Sequence, residues 1–217
     1  MTFPKAQKGV QIIWLAQFLS LIGSVLSSVI AAVTMIVLSL FDGMTSISSF
    51  AAFLSLLLPF ISIALILSGF VLTIIGVVKA SGDDENFKVA LYSLLFGSAI
   101  SLVSSFFMSH SSINAISSLL TTLTSYLAMV YVTQGIRNLA VKLDRPVMEQ
   151  RGKRLYHFLT VLYVLETCVT VAILIFTDTE AMIVVSALNF AVGVLSFIQS
   201  LIYLLYLQRA KKMLKDN

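Results

Sequence analysis

The sequence predicts an all-α integral membrane protein: six transmembrane helices arranged as three antiparallel hairpins, with the N- and C-termini both cytoplasmic. Two observations carry that prediction. Six apolar segments, 9–41, 48–78, 89–108, 113–136, 155–177 and 181–207, are each long enough to cross a hydrocarbon core of about 30 Å as a helix. Threading them alternately then gathers all 14 Lys and Arg residues on one face, which the positive-inside rule assigns to the cytoplasm. Composition agrees. Only 11% of residues are charged, against about 25% in a typical soluble domain, and the mean hydropathy is +1.00. Short connections leave no room for a separate extramembrane domain, so residues 1–217 read as one helical bundle.

The first segment follows Lys5 and Lys8 and is far longer than the roughly 7–15 apolar residues of a signal-peptide core, so it reads as an uncleaved span. At about 48 Å if wholly helical it exceeds the bilayer core. Its 9–17 end is therefore expected to tilt or lie at the interface, where Trp14 is suited. The second segment contains Pro59, which removes a backbone hydrogen bond and predicts a kink. The turn at 81–86, Ser-Gly-Asp-Asp-Glu-Asn, lacks the ligand spacing of an EF-hand and reads as a solvated loop. The fourth segment leads into 137–154, a basic loop in which Pro146 interrupts helix. The fifth carries Glu166 and the lone Cys168, which excludes an intrachain disulfide. The sixth runs into a tail whose Lys211, Lys212 and Lys215 are placed to meet headgroups.

The opposite turns, at 42–47, 109–112 and 178–180, are short, which makes each consecutive pair of helices a hairpin. The odd helices share a pattern. Ile22-Gly23-Ser24-Val25-Leu26-Ser27, Phe96-Gly97-Ser98-Ala99-Ile100-Ser101 and Leu165-Glu166-Thr167-Cys168-Val169-Thr170 align as apolar, variable, hydroxyl, small or medium, aliphatic, hydroxyl. In the even helices, Tyr131 precedes Arg137 by six residues and Tyr203 precedes Arg209 by six. The odd-helix pattern suggests internal triplication of one hairpin; the even-helix echo is weaker and the second segment does not share it.

Small residues recur at four-residue spacing on two helices: Ser20, Ser24 and Ser28 beside Gly23 and Ser27, and Ser93, Gly97, Ser101 and Ser105. Lipid offers helices no hydrophobic reason to associate, so such rows are expected as packing ridges where backbones approach closely. The alternative is a hydroxyl-lined solute path.

Glu166 is the one acidic residue deep inside a span. An acid at that depth costs about 2.5–3.5 kcal/mol even on the lower insertion scales, so it should face the bundle and find a partner or stay neutral. Asn189 lies at a comparable depth on the sixth helix, with Thr167 and Thr170 as neighbours of Glu166, and these four residues form the candidate intramembrane polar site. Gln17 and Gln199 read as helix-to-helix hydrogen-bonding groups, and His110 and His157 as interfacial residues.

No zinc-binding His pair, nucleophile elbow or phosphate loop occurs, so the expectation is a nonenzymatic protein without metal or cofactor. The basic residues flank membrane segments instead of forming a dense arm. They predict contact with membrane lipids, including anionic headgroups at the cytoplasmic face, and no nucleic acid. The leading functional expectation is an accessory or scaffold component of a membrane assembly, with other membrane proteins as partners. The alternative is a small transporter or solute-binding subunit with Glu166 as a midplane proton- or solute-linked residue. A bacterial-type plasma membrane is the expected location.

Overall fold

The computed structural model describes residues 2–40, 49–106, 111–175 and 182–216, with side chains described within 2–30, 57–106, 116–172, 187–188 and 190–216. These residues form six helices and no strand: α1 (Pro4–Leu40), α2 (Ser49–Ala80), α3 (Asn86–Ser105), α4 (Ser111–Lys142), α5 (Pro146–Ile175) and α6 (Met182–Lys215). All six are long and apolar enough to cross a membrane. The expected turns at 42–47 and 178–180, and residues 109 and 110 of the third, lie outside the described residues.

Each helix packs on its neighbours in the chain, and α6 packs on α1, so the six close into a ring in sequence order. The outside of the ring is apolar: Phe60, Phe96, Phe106 and Val161 are all more than 60% exposed. In water such a surface would aggregate; in a bilayer it is the lipid-facing surface. The end of the ring that carries the Lys and Arg residues is called here the basic end.

The closest seam is α1 on α2. Gly9, Ala16 and Gly23 recur at seven-residue intervals on α1 and meet Gly76, Gly69 and Ser62 at the same interval on α2. A Cβ at Gly9 would lie 2.5 Å from the Gly76 carbonyl oxygen, and one at Gly76 would lie 2.8 Å from that of Gly9. A seven-residue repeat of small residues is the pattern that keeps two helices in register as they wind about one another, and it permits the dispersion contacts on which membrane helices depend. At the far end of the seam the buried Ser62 hydroxyl donates to the Gly23 carbonyl at 2.7 Å.

Helices extend well past the apolar segments at the basic end. The region 137–154, expected as a loop, is instead the last turns of α4 and the first of α5, with a turn at 143–145. Asp144 adopts φ 52°, and the Arg145 amide donates back to Ala140 at 2.9 Å, satisfying a carbonyl that the helix end would otherwise leave open. Pro146 then starts α5, where its missing N–H costs nothing. It divides two helices, as a breaker should, but the segment around it is helical.

The acidic turn at 81–86 is also not merely solvated. Asp83 accepts a 2.6 Å hydrogen bond from the Ala6 amide, capping the start of α1 from another part of the chain. Asp84 is buried; it accepts from Asn86 and Asn138 and pairs with Lys142 at 3.5 Å. One short turn thus ties together the basic ends of α1, α3 and α4.

Candidate functional site

Every helix contributes to a single apolar core at the basic end, built around Val10, Ile13, Val77, Phe87, Ile136, Leu139, Leu159, Tyr203 and Leu207. Further along, the same inward-facing stripes change chemistry. On α1 the stripe runs Ala6, Val10, Ile13 and then Gln17, Ser20, Ser24, Ser28. On α4 it runs Leu139, Ile136, Val132 and then Ser125 and Thr121; on α6, Ala210, Leu207, Tyr203 and then Ser200 and Ser196. On α3, Phe87 and Ala90 give way to Ser98, Ser101 and Ser105, and on α5, Leu155 and Leu159 give way to Glu166. Steps of three, four, seven and eight residues keep each series on one helix face. The ring is therefore sealed at the basic end, over about 16 Å between Ala6 and Gln17 at 1.5 Å per residue, and polar above the seal.

Three cavities occupy the polar part. One of about 660 Å³ lies between α1 and α6, one of about 240 Å³ between α4, α5 and α6, and one of about 540 Å³ between α2, α3 and α4. The first two share Ser196 and Ser200 in their walls, and the last two share Thr121 and Ser125. They adjoin, and together make a chamber open to its surroundings, in which a row of hydroxyls is set among apolar side chains such as Val25, Phe197, Met129 and Leu94.

Glu166 enters the middle cavity. Ser196 on α6 donates to its Oε1 at 2.5 Å. The wall beside it holds Tyr126 and Tyr163, whose rings stack with centroids 4.5 Å apart, and the Tyr126 hydroxyl meets that of Thr160 at 2.8 Å. Tyr163 lies one turn before Glu166 on α5, so both project to the same side. The Gln199 amide donates to the Met129 sulfur at 3.5 Å. Among the described residues no Lys or Arg lines any of the three cavities, and Glu166 is the single formally charged group in their walls.

Of the other residues nominated from sequence, Thr167 and Thr170 donate to carbonyls one turn back on their own helix, those of Tyr163 and Glu166. Asn189 lies in α6, but its side chain is outside the described residues. Pro59 sits within α2, which continues across it, and does not line the chamber. Ser20 and Gly23 belong to the α1–α2 seam, with Ser20 against Gly69. Ser24 and Ser28 line the chamber and bond back to Ser20 and Ser24, whereas Ser27 is exposed outside it. Ser93 bonds back to Val89, Gly97 packs on Thr124, and Ser101 and Ser105 face the chamber, where Ser101 meets Thr121 at 3.4 Å. Gln199 makes the helix-to-helix bond expected of it, whereas Ser196 and the two tyrosines are the site residues that sequence reasoning passed over.

Among the described residues no cluster of His, Cys, Asp and Glu is arranged to hold a metal ion, and no buried side-chain nitrogen or oxygen lacks a partner. The chamber can therefore offer hydroxyl donors and acceptors, aromatic rings, aliphatic surface and, among the described residues, one carboxylate. No protein-family model, curated protein or solved structure matches the chain.

Proposed function

We propose that this membrane protein binds a small cationic solute inside its helix ring, with Glu166 as the counter-charge, and belongs functionally with small transporters. The observation that carries the reading is the position of Glu166: a carboxylate within a span, in a cavity walled by Ser, Thr, Tyr and Gln side chains with, among the described residues, no Lys or Arg. Ionisable groups within membrane spans mark ion and substrate paths more often than they serve packing, and transporter sites lie near the midplane. A cation about 4 Å from a carboxylate gains about 4 kcal/mol at an effective dielectric of about 20. Tyr163 and Tyr126 supply π faces of the kind that hold ammonium groups, and the serine and threonine oxygens can accept hydrogen bonds from one.

The sequence alone favoured an accessory or scaffold role, because it offered no rich polar site. The adjoining cavities are the reason to prefer a solute. The seal at the basic end suits one side of an alternating-access cycle, with the chamber reached from the other end.

The test is equilibrium binding of a graded series of alkylammonium ions to the purified protein in detergent. The expected result is saturable binding that weakens at least about tenfold in Glu166→Gln, since one lost charge contact of this size exceeds 1.4 kcal/mol. Binding unchanged by Glu166→Gln, or none by the unaltered protein, overturns the reading. Copurification of a stoichiometric membrane partner, equally strong with Glu166→Gln, would support the accessory role instead.

A further inference from the structure

The basic end is not uniformly basic. At its α3–α4–α5 side three of the cations are matched: Lys88 pairs with Glu85, Lys142 with Asp84 and Arg137 with Glu149. At the α1–α2–α6 side, Lys8, Lys79 and Lys211 come from three different helices to line one cavity of about 250 Å³ with Gln11 and Trp14. A second cavity, of about 520 Å³, shares Lys8 and Lys79 and adds Lys5. Neither cavity has an Asp or Glu in its wall. The nearest acid in sequence, Asp83, is engaged with the Ala6 amide.

We infer that this corner is a binding site for the phosphate of an anionic membrane lipid. Three ammonium groups converging on a concave surface call for a multiply accepting anion, and phosphate oxygens provide it. The same wall continues into Ile12 and Leu15, with Phe18 exposed one turn further along the helix, so a headgroup seated among the lysines has its acyl chains on apolar helix surface. Trp14 sits at the junction, its ring under the Lys211 ammonium at 4.7 Å. Tryptophan at headgroup level is the usual anchor of a membrane helix. A soluble phosphate would use the lysines alone and leave that apolar continuation without a role.

Trp14 is the only tryptophan in the chain, so its fluorescence reports on this corner without labelling. The experiment titrates full-length protein in nanodiscs of zwitterionic lipid with lipids carrying brominated acyl chains, which quench a ring they touch. Brominated phosphatidylglycerol is expected to quench Trp14 at far lower mole fraction than brominated phosphatidylcholine. Replacing Lys8, Lys79 and Lys211 with Gln together should weaken that preference by about a hundredfold, at roughly fivefold per lysine. The control removes the same charge elsewhere, by Arg151→Gln, Lys153→Gln and Arg154→Gln on the exposed start of α5. An equal loss from both triple variants would show diffuse surface attraction and overturn the site. Displacement of the brominated lipid by millimolar inorganic phosphate would assign the corner to a soluble anion and overturn the lipid. Tyrosine and tryptophan circular dichroism confirms that both variants are folded.

Discussion

The Ser196 hydroxyl on α6 donates to the Glu166 carboxylate on α5 at 2.5 Å, and Glu166 occupies the position that Gly23 and Gly97 occupy in the other two odd helices. The correspondence extends across each hairpin. Ser62 donates to the Gly23 carbonyl, and Thr124 packs on Gly97 so closely that a methyl group there would collide with its hydroxyl. In all three hairpins the aligned position on the odd helix meets a hydroxyl from the even helix. Two hairpins use it for close backbone packing. The third carries a carboxylate there, which lines the middle cavity.

From that pair follows a separation of stability from binding. Glu166→Gln keeps an oxygen that can accept from Ser196, so its thermal midpoint in detergent should stay within a few degrees of the parent. Ser196→Ala removes the donor and should cost about 0.6–1.7 kcal/mol, the range for side-chain hydrogen bonds within membranes. The expected pattern is therefore a binding defect without a stability defect in Glu166→Gln, and a small stability defect in Ser196→Ala. A large loss of stability in Glu166→Gln would make the acid a structural clasp.

The glycine seam makes a sharper stability prediction. Gly9→Val places side-chain carbon against the Gly76 carbonyl, a backbone atom that cannot move aside cheaply. Overpacking of this kind costs about 1–3 kcal/mol. Gly193→Ala is the matched control: nothing lies within 4 Å of its added Cβ, and removing a helical glycine contributes roughly 0.5–1 kcal/mol. Thermal unfolding should move down for the first and stay level or rise for the second. Equal midpoints would mean that α1 and α2 are not held by this seam.

The six spans were legible because hydropathy registers where a helix touches lipid. Helix ends were not, because the backbone continues as helix into the headgroup layer and beyond: α4 runs to Lys142 and α5 starts at Pro146, so most of 137–154 is helical. Glu166 stood out because an acid at mid-span is costly. The Ser196 hydroxyl that meets it did not: depth counted from the edge of the apolar run pointed to Asn189, seven residues earlier on α6, whose side chain lies outside the described residues. A signal for Ser196 was present, since it precedes Tyr203 by seven residues as Thr124 precedes Tyr131. The chamber was unreadable for a geometric reason. Adjacent residues differ by about 100° around a helix, so Gly23 faces α2 while Ser24 faces the interior, and only the packed ring decides which row meets a neighbour.

The Asp83 carboxylate caps α1 from a distant turn, so its removal should loosen one helix start without disturbing the ring. Asp83→Ala is expected to cost about 1 kcal/mol, the usual worth of a side-chain cap. Hydrogen exchange should quicken at Ala6 and Gln7 and stay unchanged at Ile136 and Leu139 in the core. Glu85→Ala serves as control, because its 3.9 Å pair with Lys88 is solvent-exposed and worth little. Slow exchange at Ala6 in Asp83→Ala would assign that end's order to the lipid-facing lysines instead of the cap.

The seal and the chamber predict a one-sided pattern of water access. Cys168 is the only cysteine and is exposed, so Cys168→Ser provides a background in which single cysteines can be introduced. Ser24→Cys, Ser101→Cys and Ser125→Cys all lie in chamber walls, and a membrane-impermeant thiosulfonate applied from the end opposite the lysines should modify them. Val10→Cys, Ile136→Cys and Leu159→Cys lie in the apolar core and should resist modification from either side, because thiolate formation and reagent entry both need water. A saturating alkylammonium ion should protect Ser125→Cys, which shares its cavity with Glu166, more than Ser24→Cys, which lies in the neighbouring one. Labelling of Ser125→Cys from the basic side alone would place the opening at the wrong end and invert the proposed path through the ring.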